Sequence, residues 1–176
     1  AAALPEVFAT AYLNLYMEGA LQTTEKSIVH AGASGVGTAA IQLLKQSGNP
    51  VFVTVGSAEK LRSCVELGAD TGSVRHQGSF AEAATAWAGE QGVDVILDPV
   101  GGLYLADNLH VLGLGGRLVL IGLMGGAVTE ANLALLMLKR ARVIGSTLRA
   151  RPIGEKAAVM DALQRNVWPD IERGAI

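Results

Sequence analysis

The residues with the clearest potential for chemistry form a glycine-rich segment, Ala-Gly-Ala-Ser-Gly-Val-Gly, at positions 31–37. Glycines in this G-x-x-G-x-G spacing let the main chain turn tightly and approach an anion closely. The helix that follows would direct its free N–H groups and its positive dipole end at that anion. The segment therefore predicts a site for the pyrophosphate of a dinucleotide, formed by Ser34, Gly35, Val36 and Gly37. A plain strand-to-helix turn, with glycines needed only for packing, is the alternative.

A second candidate position follows the next predicted strand. A site for NAD usually has an acidic residue there, which binds the 2′-hydroxyl of the adenosine ribose. Here the strand is followed by Gly56 and Ser57, and then by Lys60. A hydroxyl and a lysine suit a 2′-phosphate, and Arg75, at the end of the third strand, can add a second cation. This pattern favours NADP(H) over NAD(H), the alternative being that Lys60 and Arg75 are solvated surface charges.

Two later strands also end in glycine-rich loops, residues 98–102 (Asp-Pro-Val-Gly-Gly) and 122–126 (Gly-Leu-Met-Gly-Gly). In doubly wound sheets, ligands lie across the carboxyl ends of the strands, near the point where the strand order reverses. We therefore predict that these loops flank the nicotinamide half of the dinucleotide, through Val100, Gly101, Gly122, Leu123, Met124 and Gly125. Ordinary strand-to-helix turns are the alternative. Asp98 is expected to accept hydrogen bonds from nearby loop amides.

Composition and charge exclude several other classes of protein. Fourteen basic and 16 acidic residues give a net charge of −2, which argues against a nucleic-acid partner. No uninterrupted apolar run reaches the ~18 residues of a membrane-spanning helix. The single cysteine, Cys64, and the spacing of His30, His76 and His110 predict no metal site. We expect His30 to be packed or hydrogen-bonded and the other two histidines to be at the surface, and we assign no catalytic base.

The elements that must position these residues alternate between two types. Apolar runs such as residues 51–55 are typical of strands buried on both faces, and the intervening segments have helical periodicity. The alternation predicts an α/β fold, a doubly wound parallel sheet (Rossmann fold) of about six strands in the order 3-2-1-4-5-6, with helices on both faces. The predicted strands are 27–31, 51–55, 71–75, 93–98, 117–121 and 142–148; the predicted helices are 4–20, 36–47, 58–67, 80–87, 103–112, 130–140 and 153–166.

The glycine-rich segment and its surroundings resemble a known family. Residues 30–43, His-Ala-Gly-Ala-Ser-Gly-Val-Gly-Thr-Ala-Ala-Ile-Gln-Leu, are similar to the cofactor loop of the zinc-free quinone oxidoreductases, in the medium-chain dehydrogenase/reductase superfamily. Residues 55–61, 67–70, 97–102 and 122–126 fit the same family, and residues 145–151, Gly-Ser-Thr-Leu-Arg-Ala-Arg, resemble its p53-inducible group. The resemblance spans all 176 residues in one register.

The resemblance implies NADPH-dependent reduction of a quinone or a related enone. It also implies that Thr10 lies near the nicotinamide and that the edge strand 142–148 pairs with its copy in a homodimer. One departure concerns Arg75, because the family often has Asn-Tyr where this sequence has Val74-Arg75-His76. A charge would then replace the tyrosine beside the adenosine phosphate.

The resemblance further implies that residues 1–176 are an NADP(H)-binding domain, excised from a two-domain protein with a preceding catalytic domain and a closing carboxyl-terminal segment. The lack of a recognisable signal sequence favours the cytoplasm. Two alternatives to a quinone reductase stay open. An enoyl or alkenal reductase, such as a polyketide synthase module, would share the fold and cofactor and differ in substrate. A module that senses NADPH without turnover would share only the binding site.

Overall fold

The computed structural model describes residues 4–176 of the chain. Its strands are β1 (Ser27–Val29), β2 (Val51–Val55), β3 (Thr71–Val74), β4 (Val93–Asp98), β5 (Leu112–Leu120) and β6 (Arg142–Gly145). They form one sheet in the order β3-β2-β1-β4-β5-β6, and every neighbouring pair is parallel. The predicted doubly wound α/β fold and its strand order are therefore confirmed.

Within residues 4–176, eight α-helices surround the sheet: α1 (Ala9–Tyr12), α2 (Gly35–Gln46), α3 (Ala58–Leu67), α4 (Phe80–Ala88), α5 (Leu105–Val111), α6 (Leu133–Leu138), α7 (Ile153–Asn166) and α8 (Trp168–Glu172). The short α1 is extended on both sides by π-helical segments, Leu4–Phe8 and Leu13–Glu18, so that one helix runs from residue 4 to residue 18. Among residues 4–176, no helix is both long and apolar enough to cross a membrane.

Alternate side chains of the central strands pack on opposite faces of the sheet. Val29, Val53 and Leu97 belong to one apolar cluster, which also contains buried residues of α1, α2 and α7. Ile28 and Phe52 belong to the other, with buried residues of α4 and α5. Because both faces of β1, β2 and β4 are covered, these strands are buried along nearly their whole length, as their apolar runs predict.

The strand order reverses at β1, which pairs with β2 on one side and with β4 on the other. The helices that follow β1 and β4 lie on opposite faces, so a crevice opens between them at the carboxyl ends of these strands. The glycine-rich segment 31–37 begins two residues after β1 and therefore lies at this crevice.

Several element boundaries differ from the predictions, and for three of them the structure shows a local cause. β1 ends at Val29 because Ala31 adopts a left-handed conformation and turns the chain out of the sheet. α6 starts only at Leu133 because the Asn132 side chain caps it, accepting a hydrogen bond from the Ala134 N–H. β5 begins at Leu112, five residues earlier than predicted, through an irregular pairing near Val93. β6 ends at residue 145 instead of 148, and α8 was not predicted.

Candidate functional site

Two adjoining clefts open at the carboxyl edge of the sheet, one on either side of the glycine-rich segment. The outer cleft, of ≈ 320 Å³, lies over the ends of β2 and β3. The central cleft, of ≈ 450 Å³, lies over the ends of β1 and β4 and against the amino-terminal helix. Ala31, Ser34 and Met124 line both clefts, so the two form one elongated site. A larger cavity of ≈ 630 Å³ at the amino-terminal ends of β4 and β5 has no residue of this segment in its lining.

The glycine-rich segment is held against β2 by close main-chain contacts. The Gly32 N–H donates to the Thr54 carbonyl over 3.0 Å, and a Cβ at position 32 would lie 2.9 Å from the Cβ of Val53. Ala31 has φ = +53°, a main-chain conformation that residues other than glycine rarely adopt. The segment therefore turns sharply away from β1 and exposes its main chain to both clefts.

The amino end of α2 carries free hydrogen-bond donors toward this site. Ser34 caps the helix, and its hydroxyl accepts from the Gly37 N–H over 3.1 Å. A Cβ at Gly37 would come within 2.6 Å of the Ala31 carbonyl oxygen, so only glycine lets the helix pack on the loop. In the part of the chain that the structure describes, the N–H groups of Gly35 and Val36 have no acceptor. They are the donors available to an anion.

The described residues that line the outer cleft include two cations and no carboxylate. The cleft is lined by Gly56 and Lys60, which follow β2, and by Arg75, which follows β3. The candidate residues predicted at the ends of these two strands therefore lie at the same cleft. Ser57 does not line this cleft; its hydroxyl caps α3 by accepting from the Lys60 N–H over 3.3 Å. Burial raises the pKa of Tyr104, which also lines the cleft, and the nearby charge of Arg75 opposes that rise.

A buried chain of polar side chains lies beneath the two clefts. The ring of His30 is 3.0 Å from the Thr54 hydroxyl through Nδ1 and 2.7 Å from the Asn108 side-chain oxygen through Nε2. Asn108 in turn donates from Nδ2 to Asp98 over 2.9 Å. Because this donation fixes the amide of Asn108, Nε2 of His30 must donate and Nδ1 must accept. Burial lowers the pKa of His30, although the Asp98 carboxylate opposes that effect.

Both ends of this polar chain hold main-chain amides of loops at the site. At one end, the Ala31 N–H lies 3.4 Å from the Thr54 hydroxyl. At the other, Asp98 accepts from the N–H groups of Val100 over 2.5 Å and of Gly101 over 3.1 Å. The predicted role of Asp98 as an acceptor for loop amides is confirmed, as is the hydrogen-bonded, packed state of His30.

The two later glycine-rich loops bind each other. The N–H groups of Met124 and Gly125 donate to the carbonyls of Pro99 and Val100, over 3.1 and 2.6 Å. A Cβ at Gly122 would lie 2.8 Å from the Pro99 carbonyl oxygen, so this glycine is required by loop packing. The loops therefore form one unit that covers the end of β4.

The central cleft is lined by apolar side chains and also by polar ones, among them Glu6, Ser34, Thr147 and Arg149, and of its polar lining residues Asn14, His30 and Ser146 are buried. Apolar side chains from four segments line it: Val36, Leu97, Pro99, Ile121 and Met124. Thr10, half-buried, and Asn14, which is 1% exposed, contribute from successive turns of the amino-terminal helix. The Asn14 side chain donates from Nδ2 to the Thr10 carbonyl over 2.7 Å, and its oxygen has no partner in residues 4–176.

The predicted site residues divide into those that line a cleft and those that support one. Ser34, Gly56, Lys60, Arg75, Val100 and Met124 line the outer cleft, and Thr10, Ser34, Val36, Gly37 and Met124 line the central cleft. Six others line neither cleft: Gly35, which begins α2, Ser57, which caps α3, and Gly101, Gly122, Leu123 and Gly125 of the two later glycine-rich loops. Exposed His76 and His110 are at the surface as predicted, and residues 4–176 contain no group of three or more potential metal ligands.

Sequence reasoning missed Asn14, Thr54, Asn108 and Tyr104. Asn108 and Asn14 each interrupt an apolar stripe of a predicted helix, which is the signal that could have marked them as buried polar residues. Thr54 is the polar residue in an otherwise apolar strand. Their partners lie up to 78 residues away in sequence, so spacing could not reveal the contacts.

Comparison with known proteins gives one family, with relatives that include quinone oxidoreductase-like proteins, polyketide synthases and, among solved structures, an NAD-dependent alcohol dehydrogenase. Residues 35–165 match the family model of zinc-binding dehydrogenases. The chain is 34% identical to quinone oxidoreductase-like protein 2 of Rattus norvegicus over 146 residues, which are 82% of this chain and 42% of that protein. It is 37% identical to the highly reducing polyketide synthase AN6791 of Emericella nidulans over 125 residues, which are 69% of this chain and 5% of that protein.

Solved structures of a quinone oxidoreductase and of an enoyl reductase have the same fold. The Escherichia coli quinone oxidoreductase, crystallised with NADPH, superposes with a TM-score of 0.83 at 28% identity and covers 97% of this chain and 52% of its own. The CurK enoyl reductase superposes with a TM-score of 0.81 at 27% identity and covers 99% of this chain and 52% of its own. The chain thus spans about half of each of these two structures and less of the relatives above.

Proposed function

Because this chain belongs to the zinc-binding dehydrogenase family and is similar to quinone oxidoreductases of the medium-chain dehydrogenase/reductase superfamily, we propose that it binds NADP(H) along the carboxyl edge of its sheet and serves the transfer of hydride from NADPH to a quinone. The matched region is the nucleotide-binding domain of these oxidoreductases. The substrate and the choice of NADP(H) are the proposed parts.

The observation that carries the proposal is the pair of cations in the outer cleft. Lys60 and Arg75 face the position where the adenosine ribose lies in a fold of this order, and no acidic side chain among the described lining residues competes with them. A 2′-phosphate would pair with both cations, whereas a bare 2′-hydroxyl would leave them without an anion. The hydroxyl of Ser57, which already accepts from Lys60 N–H, keeps its own proton to donate.

The remaining residues fit the rest of a dinucleotide. The free N–H groups of Gly35 and Val36, at the amino end of a 12-residue helix, suit the pyrophosphate. Thr10 and the apolar walls of the central cleft suit the nicotinamide. The cofactor, when bound, supplies the hydride, and the residues of this chain orient it and exclude water. We assign no acid–base residue, since a reduced quinone can take its proton from solvent.

Charge reversal at the cations tests the cofactor. We expect Lys60→Glu and Arg75→Glu each to weaken NADPH binding about tenfold or more, while NADH binding changes little, as measured by fluorescence titration. Arg62→Glu is the matched control, because Arg62 is an exposed cation of the same helix that lines neither cleft. Equal loss of both nucleotides, or no loss in either reversal, would contradict the proposed 2′-phosphate site.

A second candidate is an enoyl reductase, which the polyketide synthase relatives and the CurK structure favour. It would use the same cofactor site. We expect residues 1–176 alone to have little activity, so the two are distinguished by NADPH oxidation by the full-length protein, measured with 1,4-benzoquinone and with an enoyl thioester. Faster oxidation with the quinone supports the first proposal, and faster oxidation with the thioester supports the second. Tight NADPH binding by the full-length protein with no oxidation by either acceptor supports a sensing module.

Four further expectations remain predictions. These are a homodimer through β6, a place in the p53-inducible group, a cytoplasmic location, and a role for residues 1–176 as one domain of a two-domain protein. The absence of a bound metal is likewise a prediction. The homodimer is supported by the exposed edge of β6, whose outer side pairs with no other strand of residues 4–176.

A further inference from the structure

We propose that Asn14 recognises the carboxamide of the nicotinamide ring, by accepting a hydrogen bond from its N–H₂ group at the bottom of the central cleft. This inference rests on the proposed function, since it requires the nicotinamide half of a dinucleotide in that cleft. It names a specificity residue that neither the glycine-rich segment nor the cation pair supplies.

The first argument is the state of the Asn14 side chain. The residue lines the central cleft and is 1% exposed, so it lies at the bottom of the cleft, below the half-buried Thr10. Its Nδ2 donates to the Thr10 carbonyl over 2.7 Å, and this bond fixes which side of the amide is the oxygen. That oxygen has no hydrogen-bond partner in residues 4–176. Buried polar atoms are nearly always paired, so an unpaired one in a binding cleft indicates a partner from the ligand.

The second argument is that the other buried polar groups of this cleft are already engaged. Both ring nitrogens of His30 are hydrogen-bonded, to Thr54 and Asn108. The hydroxyl of Ser146 lies 3.3 Å from a guanidinium N–H of Arg151. Among the described buried residues that line the cleft, Asn14 alone offers a free side-chain acceptor.

The third argument is the chemistry of the walls. Apolar side chains such as Leu97, Pro99 and Ile121 line part of the cleft and suit a flat ring. Nicotinamide is such a ring, and its one polar substituent is a primary amide. One N–H of this amide can donate to the unpaired, buried oxygen of Asn14. A site that hydrogen-bonds an N–H group rejects an analogue that lacks it.

Three ligands and one substitution test the inference by calorimetry or fluorescence titration. NADP⁺ carries the carboxamide, its 3-acetylpyridine analogue has a methyl group in place of the N–H₂, and 2′-phospho-ADP-ribose lacks the ring altogether. We expect the unsubstituted chain to bind NADP⁺ about tenfold more tightly than the acetylpyridine analogue. Asn14→Leu should remove that preference and leave the affinity for 2′-phospho-ADP-ribose unchanged, which also demonstrates that the variant is folded.

Two further variants separate recognition from structure. Asn14→Asp keeps acceptor oxygens and loses the donor to Thr10, so it should retain the preference for NADP⁺. Asn49→Leu is the matched control, because Asn49 is buried, its amide is fully hydrogen-bonded to Gln22, Glu25 and Ser47, and it lines neither cleft. It should lower thermal stability without changing the ratio of the two affinities.

The outcomes distinguish this inference from the function on which it rests. If 2′-phospho-ADP-ribose binds but the unsubstituted chain does not prefer NADP⁺ over the analogue, or if Asn14→Leu keeps the preference, the role of Asn14 is wrong and the dinucleotide site stands. If none of the three ligands binds, the proposed function fails and the role of Asn14 fails with it.

Discussion

His30 is the residue whose protonation state matters most to the site. Its two ring nitrogens bridge Thr54 and Asn108, and through them it connects the Ala31 amide to the loop after β4. A neutral imidazole can donate at one nitrogen and accept at the other, whereas a protonated one donates at both. In protonated His30, Nδ1–H would face the Thr54 hydroxyl, which donates its own hydrogen to Nδ1 when the ring is neutral, so this hydrogen bond would be lost. Protonation would also place a positive charge in a buried position.

Stability should therefore fall in mild acid. Burial lowers the pKa of His30 below its ordinary value of 6.5, so the unfolded chain takes up a proton that the folded chain resists. The stability that neutral His30 contributes to the folded chain is complete above pH 6.5. It is lost as the pH falls from 6.5 toward the lowered pKa of His30. We expect His30→Gln to cost about 1–3 kcal/mol at pH 8 and to flatten this slope in urea unfolding curves.

The control for this prediction is His110→Gln, because His110 is exposed. It should leave both the stability at pH 8 and the slope below pH 6.5 unchanged. The prediction is wrong if the His30 and His110 variants show the same slope, since the acid sensitivity would then come from other groups.

At the scale of elements, the regular segments were predictable and the long-range contacts were not. β2, β4, α3 and α7 have the predicted bounds, because apolar runs and caps such as Ser57 are local signals. β5 and β6 were misjudged at their ends, where pairing with a neighbouring strand decides the boundary. Lys60 and Arg75 could be assigned to one place because the strand order itself brings β2 and β3 together.

The hydrogen bonds of the site that join residues far apart in sequence could not be predicted, because they depend on how separate elements pack. The chain from Thr54 through His30 and Asn108 to Asp98 joins four separate elements, and each link exists only in the folded molecule. Asn14 is a similar case, since its burial depends on the packing of the amino-terminal helix against the sheet. Composition and periodicity contain no information on such pairings.

Arg117 shows how one strand anchors the amino-terminal helix. It lies in β5, is 7% exposed, and donates to the Glu25 carboxylate and to the carbonyls of Gly19 and Ala20. Burial raises the pKa of Glu25, but its hydrogen bonds with Arg117 and Gln22 outweigh that effect and leave the pKa lowered. The pair thus stabilises the fold at neutral pH, and its contribution is lost as the pH falls through the lowered pKa of Glu25.

Removing Arg117 should loosen this anchor. We expect Arg117→Met to lower the free energy of unfolding at pH 7 by about 3 kcal/mol, because it leaves the partly buried Glu25 carboxylate with only the Gln22 N–H as a donor and leaves two carbonyls with none from Arg117. Urea denaturation measures the loss. Arg173→Met, which removes an ion pair between the exposed Arg173 and the partly buried Asp170, should cost less than about 1 kcal/mol. Equal losses in the two variants would contradict the anchoring role.

For the whole molecule, the two ends of the sheet differ in how they meet solvent. The β3 end adjoins the outer cleft and its cations. At the other end, β6 pairs only with β5 among the strands of residues 4–176, and Val143 on it is 41% exposed. The neighbouring α6 adds exposed apolar side chains, Leu133, Met137 and Leu138. Unprotected edges of this kind tend to pair with another strand, and an apolar surface beside one favours an interface.

We expect β6 to pair with its copy, so that one sheet continues across a symmetric dimer with about twice the 18.2 kDa mass of one chain. Residues near the two-fold axis of such an interface meet their own copies, so Val143→Lys would bring like charges together. Sedimentation velocity should therefore give a dimer for the unsubstituted chain and a monomer for Val143→Lys. Val65→Lys is the matched control, because Val65 is 45% exposed and lies on α3, which packs against β2 and β3 at the opposite end of the sheet. A monomeric unsubstituted chain, or a dimer that tolerates lysine at 143, would rule out pairing through this edge.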